Sequence, residues 1–429
     1  MRGKTDQKPG LRFLPFDRLR YLIIILVVLQ HAANSYGNLV PWWYVRDPYP
    51  SLNPFFDLFR QLPDIIMMPV LFFLAGFFAL PSLREKGLGA FLWDKCTRLL
   101  WPGFICVTLI APIINYIYHV SRSDIYSQNG YFFYWFSFIR DSGRFHIGFI
   151  ESMDQFSHNF LWFVSLLFFF FLFFAVGHTI KGKLASRKLS TFNQRLQMNN
   201  EAINHDPKSF GLQRCYSWII ILSVGFISSL SYYIINSFMP YERWIIICNV
   251  IQFQSPRLIV YISYFSLGIY AYTQQWFLKK SPPGKLLFWG SLTVVLISIY
   301  FSLQQQFING INQPGVSLLY SFTRYFLCLS FLFFLLLLTY RYFAQPSKKH
   351  NFLAEHSYYV YLTHLLLVVS SQLFFSQFHG LLTIIKFCCV FSFSIICSYL
   401  ISCFLLKPFP RVSLIIIFVS CLVLGAATS

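Results

Sequence analysis

Carboxylates are scarce in this chain. Asp and Glu number 15 among 429 residues, against 34 Lys and Arg, and charged residues of every kind make up 11%. That is well below the roughly 25% of an ordinary soluble domain. A dispersed globular surface is excluded, and any cation inside an apolar segment has few anions to pair with. Metal-like cysteine spacing is absent too, because the ten cysteines lie mostly within apolar runs (Cys106, Cys328, Cys388, Cys389, Cys397, Cys403, Cys421). They are read as packing residues, with no metal site and no structural disulfide expected. No small-residue cleavage site follows the first apolar run, which reads as a retained anchor and not a removed signal peptide.

What the chain has in quantity is hydrocarbon: hydrophobic residues are 56% and aromatics 21%, with 52 Phe. Runs long enough to cross a bilayer recur at about 21–36, 63–81, 99–119, 159–180, 216–239, 257–277, 286–303, 318–340, 357–376, 380–405 and 413–428. The fold class expected is all-α, a polytopic helical membrane bundle of about 10–11 transmembrane helices. It forms one domain over 1–429, with a core of about 11–405 and an extra C-terminal span at 413–428. With the N-terminus cytoplasmic, 25 of the Lys and Arg residues fall on inner segments and 7 on outer ones, leaving Arg324 and Lys386 inside spans. The net charge of +19 is therefore an orientation signal, and no nucleic-acid partner is expected. Residues 181–215 are polar and basic and read as a flexible cytoplasmic linker. Residues 121–157 mix the aromatic run YFFYWFSFI with Arg140, Asp141, Arg144, His146, Glu151 and Asp154, as an interfacial cap over the bundle would.

The stretch DRLRYLIIILVVLQHAANS, Asp17 to Ser35, organises the chemistry. An eleven-residue step from Arg20 to His31 turns a helix through roughly 1100°, within about 20° of three whole turns, and climbs roughly 16 Å. Both side chains therefore share a face, with Arg20 at one water boundary and His31 deeper. Asp17 precedes Arg20 by three residues on the same face and can orient it. Asn34 and Ser35 stand one turn beyond His31. Lys95 and Arg98 sit three apart at the start of the third span, placed to hold phosphates at the inner interface. Trp162 lies near an outer boundary, where aromatic belts form. His364 is buried in the ninth span, with Ser357 seven residues earlier on the same face and Tyr361 between them. Arg324 and Lys386 each need an anionic partner or a wet cavity, and with carboxylates so scarce Asp64 at the mouth of the second span is the obvious candidate. In MMPVLFFLAGFF, Ala75 and Gly76 allow a second helix close approach.

Taken in order, five motifs resemble the type 3 family of integral membrane acyltransferases, and within it the branch that decorates periplasmic glucans. They are D-x-L-R at Asp17–Arg20 with the R-x10-H spacing to His31, MPxxFFxxGFF from Met68, K-x-x-R-L-x-x-P from Lys95 to Pro102, LWF at Leu161–Phe163, and S-x-x-x-Y-L-x-H from Ser357 to His364. The resemblance implies O-acylation: an acyl group, of acetyl or succinyl type, moves from cytoplasmic acyl-CoA to a hydroxyl of an extracytoplasmic glycan. It implies a multi-pass protein of the bacterial cytoplasmic membrane, acyl-CoA as donor substrate, and no tightly bound cofactor. It implies that His31 and Arg20 are catalytic; from their placement, Arg20, Lys95 and Arg98 are read as binding the donor, and Asn34, Ser35 and Arg324 are the candidate oxyanion donors. The chain departs from the pattern at Ala75, at Met67, and at Phe160, where a histidine is usual and His158 lies two residues earlier. The rival reading is a transporter or flippase whose path is lined by His31, His364, Arg324 and Lys386. A donor-binding membrane protein without catalysis is a third.

Overall fold

The computed structural model describes residues 13–38, 44–45, 47, 54–123, 128–144, 146–150, 152, 155–192, 207–240, 243–278, 282–308, 313–345 and 348–408. Among them, ten helices of 19 to 33 residues form the bundle: α1 (Leu14–Ala33), α2 (Pro54–Lys86), α4 (Trp101–Val120), α6 (Trp162–Phe192), α7 (Pro207–Phe238), α8 (Ser255–Thr273), α9 (Leu286–Ile308), α10 (Pro314–Tyr342), α11 (Lys348–Ser376) and α12 (Thr383–Ile401). At 1.5 Å per residue these are about 28 to 50 Å long, enough for a bilayer core. Among the described residues, seven runs are long and apolar enough to cross a membrane, and one of them, Phe55–Val120, holds both α2 and α4. Helix α1 misses that composition test because Asp17, Arg18 and Arg20 crowd its first turns. The architecture is the helical membrane bundle that the sequence predicts. The span expected at 413–428 lies outside the described residues.

Local sequence explains the helix starts and the closest packing. Prolines occupy the first turns of α1, α8 and α10, where a missing N–H costs nothing. A short α3 (Leu88–Lys95) passes into α4 through a π turn, Cys96–Leu100, in which the Trp101 N–H bonds to the Cys96 carbonyl five residues back. Pro102, which offers no N–H, follows directly. Helices α2 and α8 meet backbone to backbone: a Cβ on Gly76 would lie 2.0 Å from the Phe265 carbonyl oxygen, and one on Gly268 would lie 2.1 Å from that of Phe73. The close approach expected at Gly76 is thus made by α8, which answers with its own glycine. Around α1, Phe16 is fully buried and edges onto Phe73, Phe77, Phe78 and Phe277. Arg18 is buried as well, and its guanidinium donates to the carbonyls of Phe343 and Gln345 just past α10, where a helix leaves acceptors unfilled.

A small antiparallel sheet, β1 (Ile147–Ile150), β2 (Trp244–Ile247) and β3 (Ile251–Gln254), was not expected. It pairs Ile147 with Ile247 and Trp244 with Gln254, so the segment read as an interfacial cap is stitched to the connection before α8. The β2–β3 hairpin turns through Cys248 and Asn249, both at positive φ (52° and 54°), with the Val250 N–H on the Ile247 carbonyl, a type I′ turn. Strands of four residues are too short to show alternation, which is why they read as ends of apolar runs. The cap also holds a helix, α5 (Tyr131–Ser142), while Glu151 and Asp154 lie outside the described residues. Within the stretch read as a linker, helix continues to Phe192 and resumes at Pro207.

Candidate functional site

The site grows from the far end of α1. His31 lies in the last turn of that helix, and its Nδ1 is 3.1 Å from the Tyr44 Oη, the two rings nearly parallel at 7°. Tyr44 is 1% exposed, and burial holds its phenol well above the ordinary range, so it stays protonated and neutral. Asn34 bonds the same phenol. The loop carrying Tyr44 is fastened three times. Ser35 donates its hydroxyl to the Val45 carbonyl at 2.5 Å, Arg122 donates to the Tyr44 carbonyl at 3.1 Å, and Asp47 pairs with Lys386 at 2.8 Å. On α11, Gln372 donates to the carbonyls of His31 (3.0 Å) and Ala32 (3.2 Å), the unfilled acceptors at the end of α1.

His364 joins this group from α11, its ring centroid 5.3 Å from that of His31. Its Nδ1 lies 2.7 Å from the Tyr361 carbonyl, which accepts the Nδ1 proton and leaves Nε2 as the basic nitrogen. That Nε2 is buried with no protein partner among the described residues. The Phe160 ring edges onto His364 at 5.2 Å, and Tyr361 donates its hydroxyl to the Phe160 carbonyl. His158, two residues earlier, points away. It meets Ser165 at 3.2 Å and the Asn249 carbonyl at 3.0 Å, and burial pushes it down to about 4. It ties α6 to the sheet and takes no part in the His31 cluster.

Arg20 lies on the same face as His31 but at the opposite end of α1, 3.4 Å from Asp17, with its side chain 39% exposed. It stands within electrostatic reach of Lys95, as do Lys86 and Arg98. Asp94 gathers three of these cations, Lys86 at 3.0 Å, Arg98 at 3.0 Å and Lys95 at 3.9 Å, while Arg20 keeps Asp17, so four positive charges face two carboxylates here. Lys95 also lies over the rings of Phe91 and Phe171. Between the two ends the shared face is packed shut: Ile24 is 5% exposed and Val27 1%. Partial exposure recurs instead on one face of α2, at Asp64, Met68, Ala75 and Phe78.

The other predicted residues separate. Arg324 meets Asp64 at 2.9 Å, the partner expected for it, but the same carboxylate is already held by Arg257 on both oxygens, at 2.8 and 2.5 Å. Trp162 stacks on Tyr261 at 5.6 Å and meets Trp244 of β2 at 5.3 Å, buried beside that cluster. Ser357 spends its hydroxyl on the Ala354 carbonyl of its own helix. Ser35, read as an oxyanion donor, is occupied by Val45 and acts as a fastener of the Tyr44 loop. Lys386 belongs to the Asp47 pair, away from the Arg324 group. Sequence reasoning missed Tyr44, Arg257, Asp47 and Gln372. Only Arg257 carried a signal, a cation directly after Pro256 in the first turn of α8.

A membrane-embedded bundle with two side-anchored imidazoles at one end, His364 buried and His31 partly so, and a basic mouth at the other is the class that fold and site define. The chain belongs to the acyltransferase 3 family, whose model, described as an acyltransferase domain, matches residues 15–403. No curated relative and no solved structure matches it. The protein is accordingly an integral membrane acyltransferase.

Proposed function

We propose that this acyltransferase moves an acyl group, of acetyl or succinyl type, from cytoplasmic acyl-CoA to a hydroxyl of an extracytoplasmic glycan, across a bacterial cytoplasmic membrane. The observation that carries the reading is the pair His31–His364, with His31 held by Tyr44, at the opposite end of α1 from the Arg20, Lys95 and Arg98 cluster. Phosphates of the donor suit the basic cluster, since charge-assisted bonds to guanidinium and ammonium are the strong ones. The acceptor approaches from the sheet end. Nδ1–H of His31 donates to Tyr44, which leaves Nε2 to take the proton of the acceptor hydroxyl. The alkoxide oxygen attacks the thioester carbonyl, the tetrahedral oxyanion collapses, the C–S bond breaks, and the proton passes from imidazole to the departing thiolate. No serine or cysteine nucleophile is needed. Asn34, whose Oδ1 is buried without a partner among the described residues, turns its amide towards the same phenol and keeps His31 in register. The donor arm reaches His31 by parting the contacts at Ile24 and Val27 or along the partly exposed face of α2.

Two measurements test this. Mass spectrometry of surface glycans with and without the protein reads the donor from the mass increment and the acceptor from the fragment that carries it. In membranes supplied with labelled acyl-CoA, His31→Gln slows labelling of that acceptor by about 10²–10⁴-fold, and Arg20→Lys weakens apparent donor affinity. Wild-type turnover in a well-folded His31→Gln protein removes the base assignment. Unchanged donor affinity in Arg20→Lys reduces Arg20 to an orientation signal.

A further inference from the structure

A second imidazole stands beside His31 with one nitrogen unused. His364 is fully buried, and its Nδ1 lies 2.7 Å from the Tyr361 carbonyl, three residues back on its own helix. A carbonyl only accepts, so the proton sits on Nδ1 and Nε2 is left as a lone-pair acceptor. Among the described residues nothing donates to it. A histidine kept for packing alone would be expected to find a donor there, because a buried acceptor left unfilled is destabilising. With Nδ1 turned back to the helix, Nε2 projects from α11 into the group of rings formed with His31, 5.3 Å away between centroids, and Phe160, at 5.2 Å. The Phe160 ring has no polar hydrogen, and the Tyr361 hydroxyl is engaged by the Phe160 carbonyl. The donor that fits this nitrogen therefore comes from the space it shares with His31.

The same lack recurs around His31. Asn34 keeps its Oδ1, and Gln372 its Oε1, buried without a partner among the described residues, while the amide nitrogens of both are engaged, by the Tyr44 phenol and by the carbonyls of His31 and Ala32. Acceptors are thus in excess, and their complement is a molecule rich in O–H groups. His31 is the member of the cluster that meets open space, being partly exposed. A sugar carries hydroxyls on neighbouring carbons. Since a hydrogen bond spans about 2.7–3.2 Å, two imidazoles whose centres lie 5.3 Å apart can each take one of two such oxygens.

We infer that Nε2 of His364 accepts a hydrogen bond from a second hydroxyl of the acceptor sugar, beside the one that His31 deprotonates, so that the two imidazoles hold a diol. Resting on the proposed transfer reaction, this deepens it: the acceptor is a polyol and not a lone alcohol, and His364 selects which of its hydroxyls faces His31. His364 takes no proton in the reaction. Its bond to the Tyr361 carbonyl holds it as a neutral acceptor, and its work is to bind and orient.

Equilibrium binding to the purified full-length protein in lipid nanodiscs, read by saturation-transfer NMR, tests the inference without requiring turnover. The probes are methyl β-D-glucopyranoside and its monodeoxy derivatives, each lacking one hydroxyl. Two substitutions separate the nitrogens of His364. His364→Asn keeps an N–H for the Tyr361 carbonyl and has nothing at the Nε2 position, whereas His364→Gln sets an acceptor oxygen there and gives up the Nδ1 proton. The wild-type protein is expected to bind two of the deoxy sugars about tenfold more weakly than the parent. One of those two penalties vanishes in His364→Asn and persists in His364→Gln. Penalties at fewer than two positions in the wild-type protein overturn the diol grip, absence of any binding included. So do two penalties that survive His364→Asn, the loss of one in both variants, or its loss in His364→Gln alone, which would make the Tyr361 bond the purpose of the residue. The transfer reading fails separately: if the expected pattern is found but labelled acyl-CoA leaves no label on the glucoside, the grip stands and the transfer assignment falls.

Discussion

Replacing Tyr44 by Phe removes one oxygen and leaves the ring that lies parallel to His31. The lost contact is a neutral hydrogen bond at 3.1 Å, and such bonds contribute about 1 kcal/mol net. If the bond serves to hold His31 for proton transfer, that energy appears in the barrier, about a fivefold fall in kcat. The Michaelis constant for acyl-CoA stays as it was, since the phenol is remote from the basic cluster. Asn34 loses a partner in a site only 4% exposed, so stability drops too, by about 1–3 kcal/mol. A double-mutant cycle separates positioning from general damage. In His31→Gln, which removes a base worth about 10²–10⁴ in rate, Tyr44→Phe has nothing left to position and costs no further activity. Initial rates with labelled acyl-CoA, normalised to folded protein by size-exclusion chromatography, supply the four corners. A fivefold loss repeated in full on the His31→Gln background refutes positioning, as does an unchanged kcat in Tyr44→Phe.

Other consequences concern the frame around the site. Lys386→Met removes the cation that pairs with the buried Asp47 and lowers stability by up to about 3–5 kcal/mol in thermal or denaturant unfolding, while the added Asp47→Leu recovers part of it. Gly268→Val drives side-chain atoms into the backbone of Phe73 and gives a protein that aggregates on extraction, whereas Gly89→Ala, with open space around it, extracts normally. His158, neutral in the fold and pushed to about 4, binds a proton more readily when unfolded, near 6.5. Its contribution is therefore full above pH 6.5 and lost as pH falls towards 4, about 3 kcal/mol over the interval, read as acid loosening of the sheet cap by hydrogen exchange. His158→Gln flattens that profile.

The sequence carries some of this openly and some not at all. Arg20 and His31 share a face because helix geometry dictates it, and Asp64 was the partner for Arg324 because carboxylates are so few. Period and spacing speak only within one element, however. Tyr44 reaches His31 from a loop whose course is set by Ser35, Arg122 and the Asp47–Lys386 pair, three contacts of 10, 78 and 339 residues' separation. Arg257 stood in view as a boundary charge, yet its grip on Asp64 spans 193 residues, and only the fold reveals that Arg324 shares that carboxylate with it. The packed face at Ile24 and Val27 was equally hidden, since an apolar stripe reads the same whether it lines a passage or closes one.

The central claim is that one bundle passes an acyl group from a donor on one side of the membrane to a hydroxyl on the other, with His31 as base. Purified protein sealed in liposomes, with labelled acyl-CoA confined to the face of Arg20 and acceptor glycan to the opposite face, tests it directly. The account predicts label on the enclosed glycan with the wild-type protein and a rate lower by about 10²–10⁴-fold with His31→Gln. Movement of unmodified solute without consumption of acyl-CoA, or equal labelling by the His31→Gln protein, contradicts it.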